Sequence, residues 1–290
     1  MAPRIAELLS ARASLRAFVA ADDSAIRAQK HIRPMHQYVA TRLVIEGGFV
    51  PDDITPHPPL TAERQGGRYV LSFDESAATG SEQTVLGGLK SKDVDVVVSK
   101  PGIGPVLSVS LKGTCKAFRN LTNRMEEAIG DCTNIHMMYP GLVYGFLHLV
   151  RVNREGDPQI KSNDVTVDHA GHVADSVTRY YDILQGLSGR ESLRNEISKY
   201  EAIGFLLVEG HGENAGDRFP GFPPTEDDTD LDAFFRRLCD VYVRRYTYVA
   251  PSMTTVRQVE WTADSPAFQQ AEDELQAGIG DILDYHARLA

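Results

Sequence analysis

Between Lys92 and Gly113 the chain reads KDVDVVVSKPGIGPVLSVSLKG, two valine-rich segments hinged on Pro-Gly-Ile-Gly-Pro. Val94, Val96 and Val98 alternate with Asp93, Asp95 and Val97, and β-branched side chains at period two fit a pleated sheet better than a helix. The proline–glycine cluster forces a turn, and Val106 to Leu111 supplies a second β-rich segment, so the stretch predicts a β-hairpin. Directly after it, Phe118, Leu121, Met125, Ala128 and Ile129 fall at helical spacing, with Gly130 as the expected stop.

The rest of the chain is organised around this unit. The segment before Gly47 lacks glycine and carries apolar residues at helical spacing, which predicts two or more helices. PDDITPHPPLTAERQGG reads as a loop, 68–73 as a short strand, and SEQTVLGGLKS as the start of a short helix. GLVYGFLHLVRV and AIGFLLVEG read as buried strands, and 173–199 as two helices split at Gly186 to Gly189. The stretch 231–248 is helix-like at first and strand-like at its YVRRYTYV end, while Ser265-Pro266 opens an amphipathic helix expected to reach Leu289. This order predicts the α/β class, a mixed β-sheet flanked by helices. At 290 residues one large core suffices. We expect a single domain, with 1–50 as a helical N-terminal part, 68–210 as the α/β core and 211–290 as a C-terminal part.

Charge is distributed unevenly. The net charge is −10, yet residues 89–154 carry +4 while 209–290 carry −9. An acidic protein can still hold phosphates where its positive charges converge, because such contacts act through local fields. No apolar run approaches the ~20 residues of a membrane span, and Arg4, Glu7, Arg12 and Arg16 break the opening segment, so a cytoplasmic location and no membrane partner are expected. Cys115, Cys132 and Cys239 are widely spaced and form no CxxC pattern, which argues against a disulfide framework or a structural zinc site. The GxxxxGK[ST], GxGxxG and GxSxG signatures are missing, so no nucleotide cofactor is expected.

The hairpin and its trailing helix concentrate the residues that could carry chemistry. Ser110 and Lys112 share one face of the second strand, and Asp95 can share the corresponding face of the first. Glu126 lies fourteen residues after Lys112, about two and a half helical turns into the next helix once a connection is allowed for. Oxygens from Asp95 and Glu126 suit a hard divalent cation, Mg²⁺, with Lys112 orienting or deprotonating an attacking water. The reaction class this points to is phosphodiester hydrolysis. The plainer reading pairs Asp95 with Lys112 as a structural cross-strand ion pair and leaves Glu126 a solvated helix residue beside Arg119 or Arg124; Glu127 is the alternative ligand.

Asp95 in DVDVVV, a turn, then Ser110-Leu-Lys112 resembles the PD-(D/E)xK nuclease site, in particular that of type II restriction endonucleases. Ser110 stands where that family usually has an acid. One branch has a Ser-x-Lys form whose acid comes from the helix after the lysine strand, and Glu126 occupies the corresponding place. The resemblance implies a restriction-endonuclease-like fold, Mg²⁺ as cofactor, double-stranded DNA as substrate and a homodimer in which each subunit addresses half a palindrome, with the C-terminal or N-terminal helices as the interface. It also implies a further acid from an N-terminal helix, for which Glu46 is the candidate. Pro51-Asp52-Asp53 matches the first letters of the motif but sits in the proline-rich stretch, so Asp95 is preferred.

For DNA contact, Lys90, Lys92, Lys116, Arg119 and Arg124 flank the candidate site, and Arg236, Arg237, Arg244 and Arg245 are interleaved with tyrosines. The plainer reading of those four arginines is neutralisation of the nearby acidic run TEDDTDLD. Two other functions share the same core: a nuclease that recognises DNA structure in repair or recombination, and a catalytically silent DNA-binding subunit of a defence system.

Overall fold

In a computed structural model of the chain, the structure describes residues 5–22, 25–26, 30–116, 121–224 and 229–290. Among the described residues, helices α1 (Ile5–Leu9), α2 (Ala11–Val19) and α3 (Arg33–Ile45) precede strands β1 (Ile54–Thr55), β2 (Leu60–Gln65), β3 (Arg68–Phe73), β4 (Gln83–Val85), β5 (Lys92–Val94), β6 (Val96–Lys100) and β7 (Gly104–Thr114). Helix α4 (Leu121–Met138) leads to β8 (Val143–Arg151), α5 (Asp175–Gly186) to β9 (Ala202–Val208), and α6 (Leu231–Tyr242), α7 (Pro266–Leu275) and α8 (Ile279–Ile282) complete the chain.

The central sheet has five strands in the order β1-β6-β7-β8-β9. The expected hairpin is β6 and β7, antiparallel with Val96 opposite Val109 and Val98 opposite Leu107. Its turn contains Gly102 and Gly104 at φ +76° and +89°, a region that costs glycine little and other residues much. From β7 the chain crosses through α4 to β8, which is parallel to β7, and through α5 to β9, parallel again. The fold is thus a mixed α/β sheet flanked by helices, as the sequence predicts.

Period-two alternation splits the apolar residues between two cores. Val96, Val98, Leu107, Val109, Leu111, Leu147 and Leu149 face α1, α2, α3, α6 and α7. Val97, Tyr144, Phe146, Val150, Phe205 and Leu207 face α4 and α5. A strand buried on both faces needs this continuous apolar reading, which is why β8 and β9 have no solvent face.

Several elements depart from the sequence expectation. Gly130 does not end α4; it is exposed on a helix that runs eight residues further, because Cys132 and Ile135 bury against the sheet. The second helix expected in 173–199 is absent: the Glu196 carboxylate accepts from the N–H groups of Glu191 and Ser192, a local arrangement that competes with helix. The YVRRYTYV segment is no strand but a wider-turned continuation of α6 over Val243–Thr247, with Tyr242 and Tyr246 stacked at 5.0 Å. The last long helix stops at Leu275, with Gln276 left-handed at φ 52°. In the proline-rich stretch, Leu60–Gln65 pairs with β3, and the SEQTVLGGLKS segment contributes β4, paired with β5, where a helix was expected. The apolar faces named as dimer interfaces are occupied within the chain: Ala267, Phe268 and Ala271 of α7, and Ile5, Leu9, Leu15 and Phe18 of the N-terminal helices, all sit in the core.

Two glycines give opposite expectations. A Cβ on Gly145 would stand 2.8 Å from Phe234 Cζ and 3.1 Å from Leu238 Cδ2, so Gly145→Ala should cost about 1–3 kcal/mol by pushing α6 off β8. A Cβ on Gly130 meets nothing within 4 Å, so Gly130→Ala should stabilise by about 0.5–1 kcal/mol. Urea unfolding midpoints moving the same way for both variants would contradict this packing.

Candidate active site

The site begins where the sheet is interrupted. Asp95 lies between β5 and β6, is 9% exposed, and its Oδ2 accepts a 2.7 Å hydrogen bond from the backbone N–H of Leu111 on β7. Its other oxygen faces Nε2 of the buried His36, on α3, at 3.4 Å. Burial pushes the Asp95 carboxyl above the ordinary aspartate range, against the pull of the Lys112 ammonium, the Leu111 N–H and the Lys92 ammonium. Lys112 follows Leu111 on the strand, so the hydrogen bond that anchors the carboxylate also fixes the root of the lysine.

The Lys112 ammonium faces α4. Its Nζ lies 3.7 Å from Glu127 Oε1, and Lys92 Nζ lies 3.8 Å from the same oxygen and 2.6 Å from Asp131 Oδ2. Burial disfavours the Lys92 ammonium, but the hydrogen bond from it to Asp131 and the fields of Asp131, Glu127 and Asp95 hold its pKa above the usual lysine value. Glu127 and Asp131 are one turn apart on α4, on the side that meets β5 and β7. Glu126, the acid preferred on spacing, is exposed about 100° around the helix from Glu127. The phase follows from Leu121, Ala128, Cys132 and Ile135, which bury against the sheet and swing position 127 toward the lysines.

Ser110 is buried and shares a 2.7 Å hydrogen bond with the Tyr144 hydroxyl on β8, so this strand position holds a neutral hydroxyl engaged with its neighbour. His148 is the register partner of Lys112 across the β7–β8 ladder. It is fully buried, with Nδ1 2.6 Å from the Tyr180 hydroxyl and Nε2 2.9 Å from Thr114 Oγ1. Desolvation, reinforced by Arg124 and Lys112, pulls its pKa down to about 3. Desolvation does the same to His36, down to about 4, against the field of Glu82 and together with those of Arg33 and Lys112. A neutral imidazole therefore stands beside each residue, His36 at the Asp95 carboxylate and His148 at the ladder position opposite Lys112. Neither His36 nor His148 is among the residues expected from sequence; a histidine inside the apolar run VYGFLHLVR is the one signal that could have marked His148 as a neighbour for Lys112.

Other expected residues lie elsewhere. Glu46 is ion-paired with Arg42, which also holds Asp232 at 2.7 Å, and burial pushes its carboxyl up against the pull of Arg42. It is ten residues past His36 on the same helical rod, about 15 Å along the axis, so the N-terminal helix meets Asp95 through His36. Lys90 is exposed on a loop whose backbone is gripped by the Asn134 side chain. Lys116 is exposed just past β7, Arg124 is half-buried on α4, and Arg119 lies outside the described residues. Asp53 pairs with Lys100 at 2.7 Å beside the hairpin turn, the end of the sheet remote from Lys112. Arg245 binds Glu201 at 2.6 Å and the Leu142 carbonyl at 3.0 Å. Leu142 precedes His148 by six residues, about 20 Å of extended strand, so the arginines on and after α6 are not gathered with the Lys112 cluster.

Asp95 and Glu127 offer hard oxygen donors, while among the described residues no group of three or more His, Cys, Asp or Glu surrounds one point. Carboxylate oxygens are the donors that a hard cation such as Mg²⁺ takes, commonly one or two of them together with waters and phosphate oxygens of a substrate. No protein-family model matches the chain, and neither a curated protein nor a solved structure matches it.

The two histidines set a pH dependence. Each has a folded pKa (about 4 and about 3) below the 6.5 of an unfolded histidine, so the unfolded chain takes up the proton first. Their contribution is complete above pH 6.5 and is lost as pH falls toward 4, at about 1.4 kcal/mol per pH unit for each. His148→Gln should remove one proton from this slope between pH 6.5 and 4; an unchanged slope would mean that His148 titrates normally in the fold.

Proposed function

We propose that the chain is a Mg²⁺-dependent endodeoxyribonuclease of the type II restriction kind, hydrolysing phosphodiester bonds in double-stranded DNA as a homodimer. The observation that carries this reading is the seating of Asp95 on the Leu111 N–H, one residue from a lysine whose ammonium faces a carboxylate of the following helix. Such an arrangement of carboxylate, ammonium and carboxylate suits a phosphodiester, which brings negative charge and needs a positioned water. Bound to Asp95 and Glu127, Mg²⁺ would neutralise charge developing on the phosphate and lower the pKa of a coordinated water.

The protein's own residues have distinct tasks in this proposal. Lys112 donates a hydrogen bond from its ammonium to the water or to a non-bridging phosphate oxygen. Asp95 keeps a fixed direction because Leu111 holds one of its oxygens. Lys92 neutralises Asp131 and limits the swing of Glu127, and Ser110, tied to Tyr144, takes no charge at the usual acid position. Lys90, Lys116 and Arg124 are the cations best placed to meet a DNA backbone beside the cluster. The apolar helix faces first expected at a dimer interface are buried inside the chain, so a two-fold contact would use another surface.

The test incubates purified protein with a large unmodified bacteriophage genome and Mg²⁺. Discrete fragments are expected, with Lys112→Ala and Glu127→Gln each losing about 100-fold or more in rate and Glu126→Gln staying within a few-fold of the unaltered enzyme. Cleavage confined to flaps or junctions would replace sequence-specific restriction with a structure-specific nuclease, and binding without nicks would indicate a silent DNA-binding subunit. Asp95→Asn should abolish cleavage and raise Tm at neutral pH. The folded-state pKa of Asp95 lies above its unfolded value, so its stabilising effect is full at low pH and is lost once both states ionise. A gain in Tm that persists unchanged at pH 3 would contradict that origin.

A further inference from the structure

A recess of about 520 Å³ opens where α6 and its continuation meet the start of β8 and the turn after α5. Four guanidinium groups line it, from Arg190, Arg237, Arg244 and Arg245, in a chain whose net charge is −10. Its volume falls within the roughly 300–1,000 Å³ of small-molecule sites.

The floor is rigid. Arg190 is 1% exposed, donating to Glu201 Oε1 at 3.0 Å and to the Leu193 carbonyl at 2.8 Å, and Arg245 is fixed by Glu201 and Leu142. The Arg190 Nε–H has no acceptor among the described residues. A buried guanidinium donor left unpaired is costly, and the groups an incoming oxyanion would meet first are Arg237 and Arg244 at the mouth. The mouth carries charge less tightly held: among the described residues Arg237 makes a 3.9 Å contact with the exposed Glu191, and Arg244 is exposed. Beside these charges the wall is apolar, with Val241, Tyr246 and Val249, the last 76% exposed. Guanidinium groups next to an exposed apolar wall suit a ligand with an anionic end and a flat ring.

We propose that this recess binds a phosphate ester that carries a ring, the chemistry of a nucleotide. Arg190 and Arg245 form the fixed base, Arg237 and Arg244 close on the phosphate, and Tyr246 and Val249 take the ring. The site stands apart from the Asp95–Lys112 cluster, about 20 Å away along β8, and does not depend on the nuclease reading. The phosphate ester has two sources, a free nucleotide or the 5′-phosphorylated end of a DNA strand.

Isothermal titration of the full chain with AMP, with adenosine, with inorganic phosphate and with a 5′-phosphorylated single-stranded oligonucleotide tests the proposal. AMP should bind saturably, inorganic phosphate more weakly, and adenosine without detectable heat, with affinity falling as salt rises. The Arg237→Gln/Arg244→Gln double variant should weaken AMP binding by about tenfold or more, whereas Arg236→Gln, on the same helix but exposed away from the recess, should leave it unchanged. Oligonucleotide binding as tight as that of AMP would identify a strand end as the source, and much weaker binding a free nucleotide. Absence of AMP and phosphate binding, adenosine binding as well as AMP, or an unchanged double variant would each overturn the site.

Discussion

The N–H of Leu111 is the pivot of the structure around the candidate site. In an uninterrupted antiparallel ladder it would bond a backbone carbonyl, but β5 stops at Val94 and β6 resumes at Val96, and the partner is the carboxylate of Asp95. Removing a carboxylate from water is expensive unless hydrogen bonds and opposite charge replace its hydration. One N–H and the fields of two lysines provide part of that replacement, and the raised pKa of Asp95 records the shortfall. The local sheet geometry and the electrostatics are therefore one arrangement: closing the strand break would free the carboxylate, and losing the carboxylate would leave a buried N–H unpaired.

From Asp95 the charges alternate through Lys112, Glu127, Lys92 and Asp131, three acids against two bases. The chain is held from both sides by neutral groups, His36 on α3 and the His148–Tyr180 pair between β8 and α5. A protonated histidine at either place would compete with a cation for Asp95 or add repulsion beside Lys112. Burial prevents this across the neutral range. The net negative balance of the five-residue cluster is suited to accepting a divalent ion, and its lysines are suited to the phosphate that would accompany it.

How far this could be read from the sequence depends on the range of the interaction. The hairpin was legible because β-branched alternation and a proline–glycine turn are local signals, and the Asp95–Lys112 neighbourhood followed from strand geometry alone. The choice between Glu126 and Glu127 was not, since it rests on the rotational phase of α4, which tertiary burial of Cys132 and Ile135 sets past a glycine that looked like a terminus. His36 was invisible for a different reason: nothing in its spacing relates it to Asp95, and only the docking of α3 onto the sheet brings the two together. Glu46 sits at the far end of the helix from His36, where Arg42 already claims its carboxylate.

The arginine-rich segment illustrates the same point through a buried charge. Glu201, at the head of β9, is 0% exposed, and burial alone would push its carboxyl up. The hydrogen bond and charge of His136, the Arg245 guanidinium and the Tyr144 N–H reverse the direction and pull it down. Such a cluster is weak evidence of stability, because the desolvation of several charges offsets their attraction. Its consequence is geometric. By binding Arg245 near the start of β8 together with Arg190 from outside the segment, Glu201 draws one of the segment's four arginines away from the solvent-facing role that its sequence context suggests and seats it beside Arg190 under Arg237 and Arg244. The acidic chain thereby concentrates cationic groups at two separate places along β8, a lysine cluster near its middle and an arginine-lined recess at its start, on side chains that β7, α4, α6 and the turn after α5 supply.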